Sequence, residues 1–160
     1  MTIKVGDKIP SVKLKQMTKD GVKDVTTDDL FKGKKVALFG LPGAFTPTCS
    51  AKHVPGYVQN ADALKGKGVD SIVCVSVNDA FVMDAWGKDQ KVGDKVSMVA
   101  DGSADLTKAL GLDLDLTANG MGIRMRRFSA FVDNGVVKQL NVEKPGAFEV
   151  SNAETMLKQI

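Results

Sequence analysis

The chain has 160 residues, 43% of them hydrophobic and 26% charged, with five prolines and no low-complexity tract. One domain of this length buries roughly 70% of its extended-chain surface, which excludes intrinsic disorder and leaves no room for a second core. A net charge of +3, from 19 scattered lysines and three arginines, excludes the basic stripe of a nucleic-acid binder.

No apolar run reaches the ~20 residues of a membrane-spanning helix, and the start, MTIKVGDKIP, lacks the apolar stretch of a secretory signal. The expected address is the cytoplasm, with no membrane and no nucleic acid as partner. Lys35 to Leu41 (KVALFGL) and Ser71 to Val77 (SIVCVSV) are short apolar, β-branched runs of the kind buried on both faces of a mainly parallel sheet. Between them, Thr48 to Lys65 carries Val54, Val58, Ala61 and Leu64 at helical spacing and stops at Lys65-Gly66-Lys67-Gly68, completing a βαβ unit. Asn78-Asp79 caps a second helix running to about Trp86, in which Phe81 and Trp86 are expected to pack in the core or an interface. Val96 to Ala100 reads as a strand and Ala104 to Leu110 as a helix. Phe128 to Val132 and Val136 to Leu140 flank Asp133-Asn134-Gly135, a strong hairpin signal, and Asn152 to Ile160 closes the chain as a helix. The pattern is that of an α/β, thioredoxin-like domain over residues 1–160, a central mixed sheet flanked by helices. It contains neither GxGxxG nor GxxxxGK[ST].

Leu41 to Cys49 (LPGAFTPTC) leaves a buried strand through a Pro/Gly turn and enters a helix. Thr46 suits the N-cap and Pro47 the first helical position, which puts Cys49 in the first turn, close to unpaired backbone N–H groups and the positive end of the helix dipole. Such a place favours the reactive thiolate. The alternative is a small buried thiol at a helix start. All three arginines, Arg124, Arg126 and Arg127, stand together before the strand at Phe128, and a guanidinium can hold an anion in set geometry where a mobile ammonium cannot. In an extended segment Arg124 and Arg126 share one face and Arg127 points to the other. His53, four residues after Cys49, invites a Cys-His nucleophile, but Pro55 disturbs the helix there and no orienting partner is evident. Cys74, inside SIVCVSV, is expected to behave as a small buried hydrophobe. Two cysteines and one histidine supply neither a zinc cage nor a disulfide framework, so no metal or cofactor is expected.

Pro42-x3-Thr46-x2-Cys49, with the flanking PGAFTPTCS, HVPGY, SVNDAFVM and RRFSAFVDNGVVKQLNVE, resembles the peroxiredoxins, and within them the peroxiredoxin 5 (type II) group of plants and bacteria, over nearly the whole chain. The resemblance implies a thiol peroxidase acting on hydrogen peroxide and alkyl hydroperoxides. It places the peroxidatic cysteine at Cys49, with Thr46, Pro42 and Arg127 around it, and gives Arg124 and Arg126 no such role. The animal members' resolving cysteine falls where this chain has Ser151; plant and bacterial relatives carry a cysteine resembling Cys74, so Cys74 is the candidate resolving residue. The family further implies glutathione with glutaredoxin, or thioredoxin, as reductant, and a homodimer with Phe45 and Phe81 near its contact. A general disulfide reductase would need CxxC, and position 46 is Thr. A redox-sensing or chaperone-like interaction protein, in which Cys49 turns over slowly, is the non-enzymatic alternative.

Overall fold

The computed structural model describes residues 2–160. Its centre is three parallel strands, β3 (Lys35–Leu41), β4 (Ser71–Ser76) and β5 (Ser97–Ala100), which pair in the spatial order β5-β4-β3. Two antiparallel hairpins extend the sheet. β8 (Phe128–Asp133) and β9 (Val136–Val142) add beside β3, and β1 (Lys13–Thr18) and β2 (Gly21–Thr26) beside β5, giving the order β2-β1-β5-β4-β3-β8-β9. Asn134 and Gly135, at φ 50° and 78°, make the turn that their sequence announces.

Alternation along the buried strands divides the core into two layers. Ala37, Phe39, Leu41, Ile72 and Cys74 face one layer, while Val36, Leu38, Val73 and Val75 face the other. The first layer is roofed by α2 (Val54–Gln59), α3 (Ala61–Gly66), α4 (Ala80–Asp89) and α6 (Ala153–Gln159), and the second by α1 (Thr27–Phe31) and α5 (Asp105–Leu110). At Gly40 a Cβ would stand 2.3 Å from Phe128 Cε1 and 2.4 Å from Met125 Sδ, so only glycine fits that strand position under this packing.

Several expectations change in detail. The single helix over Thr48 to Lys65 is three pieces. Pro47 and Thr48 begin it, a π-turn spans Cys49–His53 with the Val54 N–H bonded to the Cys49 carbonyl, and α2 and α3 follow on either side of Asn60. Pro55 cannot donate an N–H, and the widened turn just before it is where the ladder adjusts. α5 begins at Asp105 because Ala104 is left-handed (φ 62°), held there while the buried Asp101 carboxylate accepts from Leu106 N, Thr107 N and the Thr107 hydroxyl. Of the two rings expected in the core or an interface, Trp86 is core and Phe81, 69% exposed, is outside it. The β1–β2 hairpin, α1, and a second small sheet of β6 (Asp113–Leu116) and β7 (Gly122–Met125) stand outside the elements that the sequence announces. No helix among the described residues is long and apolar enough to cross a membrane.

Candidate active site

β3 ends at Leu41, and residues 42–46 form the loop that leads into the helix start carrying Cys49. Two side chains from other elements pin it. Asn78 Oδ1 accepts from Ala44 N (2.9 Å), and Arg124 of β7 donates from Nη1 to the Pro42 carbonyl (3.2 Å) and from Nε to the Met121 carbonyl (2.9 Å). Arg124, to which the resemblance gives no role at the site, is thus a brace for the loop. Phe45 holds a left-handed φ of 61°, costly for a non-glycine residue and a mark of a loop over-determined by its surroundings. Thr46 does take the capping position, since its carbonyl accepts from Ser50 N (3.0 Å), but not through its side chain: the hydroxyl donates to the Gly43 carbonyl (2.7 Å). With its proton committed, Thr46 Oγ1 presents lone pairs, so it can accept from the O–H of a hydroperoxide.

Cys49 is fully buried at the helix start, ahead of the first intrahelical bond, so the N–H groups of Thr48 and Cys49 lack helical acceptors. Arg127 Nη2 donates to Cys49 Sγ (3.1 Å), and Nη1 of the same guanidinium donates to His53 Nδ1 (2.9 Å). The direction of the second bond follows from the first atom's chemistry. His53 Nε2 lies 3.1 Å from the Ser151 carbonyl, which can only accept, so Nε2 carries the proton and Nδ1 offers a lone pair to Arg127. Burial, reinforced by the Arg127 cation, pushes the His53 pKa down to about 3. A neutral imidazole with both nitrogens engaged cannot serve as a general base for Cys49. It orients the arginine instead, and contrary to the sequence reading it has two partners of its own.

The arginines also sort differently from the extended-segment expectation. β7 ends at Met125 and the chain turns, so Arg126 and Arg127 both line one cleft of about 100 Å3 with Pro42 and Thr48, whereas Arg124 faces the far side of the loop. The cleft has room for a small molecule beside the Arg127 guanidinium, whose Nη2 reaches inward to the buried Cys49 sulfur.

Residues 4–157 match the Redoxin family. Peroxiredoxin-2E, a chloroplastic protein of Arabidopsis thaliana, is 51% identical over 163 residues, spanning 99% of this chain and 70% of its own length. Peroxiredoxin-2D of the same plant is 50% identical over 159 residues, with 99% and 98% covered. The crystal structure of reduced Prx3 from Vibrio vulnificus in complex with hydrogen peroxide matches with a TM-score of 0.95 at 54% identity over 99% of both chains. The chain belongs to the peroxiredoxin family. It is a thiol-dependent peroxidase, an oxidoreductase on the thioredoxin-like fold.

A peroxiredoxin must also reduce its oxidised cysteine, and the second thiol here is badly placed to help. Cys74 is fully buried in mid-β4, its pKa pushed well above the usual thiol value by burial and, second, by negative charge at Cys49. Among the described residues no three His, Cys, Asp or Glu side chains gather as a metal site. Glu143 was not singled out by the sequence, although it is a buried carboxylate in this neighbourhood. It is 3% exposed and receives four hydrogen bonds on a single oxygen. The available signal was an acidic residue following the strand end LNV, ahead of the turn KPG.

Proposed function

We propose that Cys49 is the peroxidatic nucleophile, acting on hydrogen peroxide and alkyl hydroperoxides, and that an external thiol resolves it. The observation that carries the assignment is the Arg127 guanidinium, which donates to Cys49 Sγ with one nitrogen while His53 fixes the other. The Cys49 thiolate attacks the terminal peroxide oxygen. An S–O bond forms, the O–O bond breaks, the sulfur is oxidised by two electrons to sulfenic acid, and the departing alkoxide or hydroxide leaves as an alcohol or water once protonated. Arg127 stabilises charge spreading from sulfur to the leaving oxygen, and Thr46 Oγ1 accepts from the peroxide O–H and so orients it.

The proposed reductant is glutathione with glutaredoxin, or thioredoxin. Support comes from the burial of Cys74 in mid-β4, because a Cys49–Cys74 bridge would require both the helix start and the strand to leave their packing, whereas an outside thiol requires movement only at Cys49, which is itself buried. The homodimer proposal is supported by Phe45, within the loop, and Phe81, in the first turn of α4, which stand 53% and 69% exposed. The cytoplasm stays the proposed address on the sequence reading alone. Peroxide-driven turnover with each reductant system in turn tests the reductant, and failure of both to support Cys49 recycling contradicts it. Sedimentation of the wild type and a Phe81→Ser variant tests the dimer, which is refuted by a monomer in both.

A further inference from the structure

We propose that Glu143 is a positioning residue for the peroxidase reaction, clamping the 149–151 segment so that the Ser151 carbonyl holds His53, and through it Arg127, in register with Cys49. The inference rests on the assignment of Cys49 as the reacting sulfur. It begins from an unusual carboxylate. Glu143 Oε2 accepts from Glu149 N (2.9 Å), Val150 N (2.8 Å), Ser151 N (2.8 Å) and Ser151 Oγ (2.7 Å), and its carboxylate has no cation within ion-pair distance among the described residues. Burial works against the charge, but the Ser151 hydroxyl and the three backbone donors together outweigh it and hold the carboxyl below its ordinary range. Three consecutive N–H groups converging on one anion fix the backbone at 149–151 in a way that no apolar contact would.

That segment is where the site's polar chain begins. The Ser151 carbonyl accepts from both His53 Nε2 (3.1 Å) and the Tyr57 hydroxyl (3.0 Å). Among the described residues the imidazole's other hydrogen bond is with Arg127, and the rings of Phe39, Phe148 and Tyr57 lie at centroid separations of 4.8, 5.1 and 5.7 Å. The Ser151 carbonyl is therefore the one acceptor that selects the Nε2–H tautomer, and only that tautomer leaves Nδ1 free to accept from Arg127. Glu143 also meets the arginine segment through its own backbone, donating from N to the Arg127 carbonyl (2.9 Å) and accepting at its carbonyl from Arg126 Nη2 (3.0 Å). One residue thus ties together the segment bearing Arg127 and the segment bearing its orienting carbonyl. Ser151 contributes its hydroxyl to this clamp.

Because the chain has a single histidine, nitrogen-15 NMR of the imidazole reads the clamp directly. Wild type is expected to show one Nε2–H tautomer that stays neutral to well below pH 5. Glu143→Ala should release 149–151, mix the tautomers, move the His53 titration back toward 6.5, and lower kcat/KM for hydrogen peroxide at least tenfold. Glu143→Gln, which keeps an acceptor but loses its charge, should lower kcat/KM three- to fivefold with a partial change at His53 and stands as the deciding variant if Glu143→Ala does not fold. A folded variant with unaltered His53 resonances and kcat/KM within twofold of wild type overturns the proposal, even if its melting temperature has dropped. If wild type shows no Cys49-dependent turnover at all, the nucleophile assignment fails, while the His53 resonances still report on the clamp.

Discussion

Replacing Arg127 by Lys keeps the positive charge and removes the fork. In the structure one nitrogen is committed to His53 Nδ1 at 2.9 Å while the other reaches Cys49 Sγ at 3.1 Å, both drawn from one rigid plane. A lysine ammonium is a single nitrogen on a flexible stem and cannot occupy both points. If it stays near His53 the sulfur loses its donor; if it moves to the sulfur it loses its tether and must be ordered at an entropic cost. A hydrogen bond to a charged group contributes about 1.5–3 kcal/mol, so losing the sulfur contact corresponds to a roughly ten- to hundredfold drop in kcat/KM, with the retained charge favouring the lower end. The assay is stopped-flow consumption of hydrogen peroxide under saturating reductant, which isolates the oxidation of Cys49. Arg124→Lys and Arg126→Lys provide the comparison, since those side chains bond only to backbone carbonyls, at Met121 and Pro42 and at Glu143. Each should lose less than about threefold. An Arg127→Lys enzyme within threefold of wild type, or equal losses at all three positions, refutes the reasoning.

His53 makes stability depend on pH with a defined sign. Its folded pKa of about 3 lies below the ordinary 6.5, so between those values the unfolded chain binds a proton that the native state refuses. Stability contributed by neutral burial is therefore intact above pH 6.5 and falls on acidification by up to ~1.4 kcal/mol per unit, about 2 kcal/mol by pH 5. Urea midpoints at pH 7.5 and 5 should show this loss in wild type and a loss smaller by that amount in His53→Gln; equal acid slopes in the two proteins would count against it. Cys74→Ser should retain most turnover with glutathione and glutaredoxin while losing about 1–3 kcal/mol of stability through a buried hydroxyl. Peroxide-treated wild type should correspondingly yield little Cys49–Cys74 disulfide by mass spectrometry of non-reduced peptides, and a stoichiometric bridge contradicts external resolution.

The parts of this molecule legible in its sequence are those in which a local pattern and the tertiary environment agree. KVALFGL and SIVCVSV are strands because both faces are covered, and Asp79 and Asn152 cap the helices they precede, each accepting from a backbone N–H three residues on. The β1–β2 hairpin escaped because it is an edge. Its strands KLKQMT and GVKDVT bury only Leu14 fully and carry the lysine and aspartate pairs of an exposed surface, Lys15–Asp24 among them. The helix after Cys49 broke where periodicity is blind, at a proline and at an asparagine whose side chain turns back to the Gly56 carbonyl. At the site, Cys49 was singled out by its place at a helix start, the three arginines by their scarcity and clustering, and Arg127 among them only by the family resemblance. The direct contact between Cys49 and Arg127 was not legible, because it spans 78 residues, and neither were the partners His53 and Ser151 that hold the guanidinium. Contacts spanning 74 and 98 residues leave no spacing to read.

The most direct test compares wild type with Cys49→Ser in stopped-flow reduction of hydrogen peroxide with excess dithiothreitol, trapping the oxidised protein with a sulfenic-acid reagent before reductant is added. Peroxide consumption far faster than by free thiol, with the trapped adduct on Cys49 and both signals lost in Cys49→Ser, is the predicted result. Consumption at the free-thiol rate, or turnover that persists in Cys49→Ser with the adduct on Cys74, contradicts it.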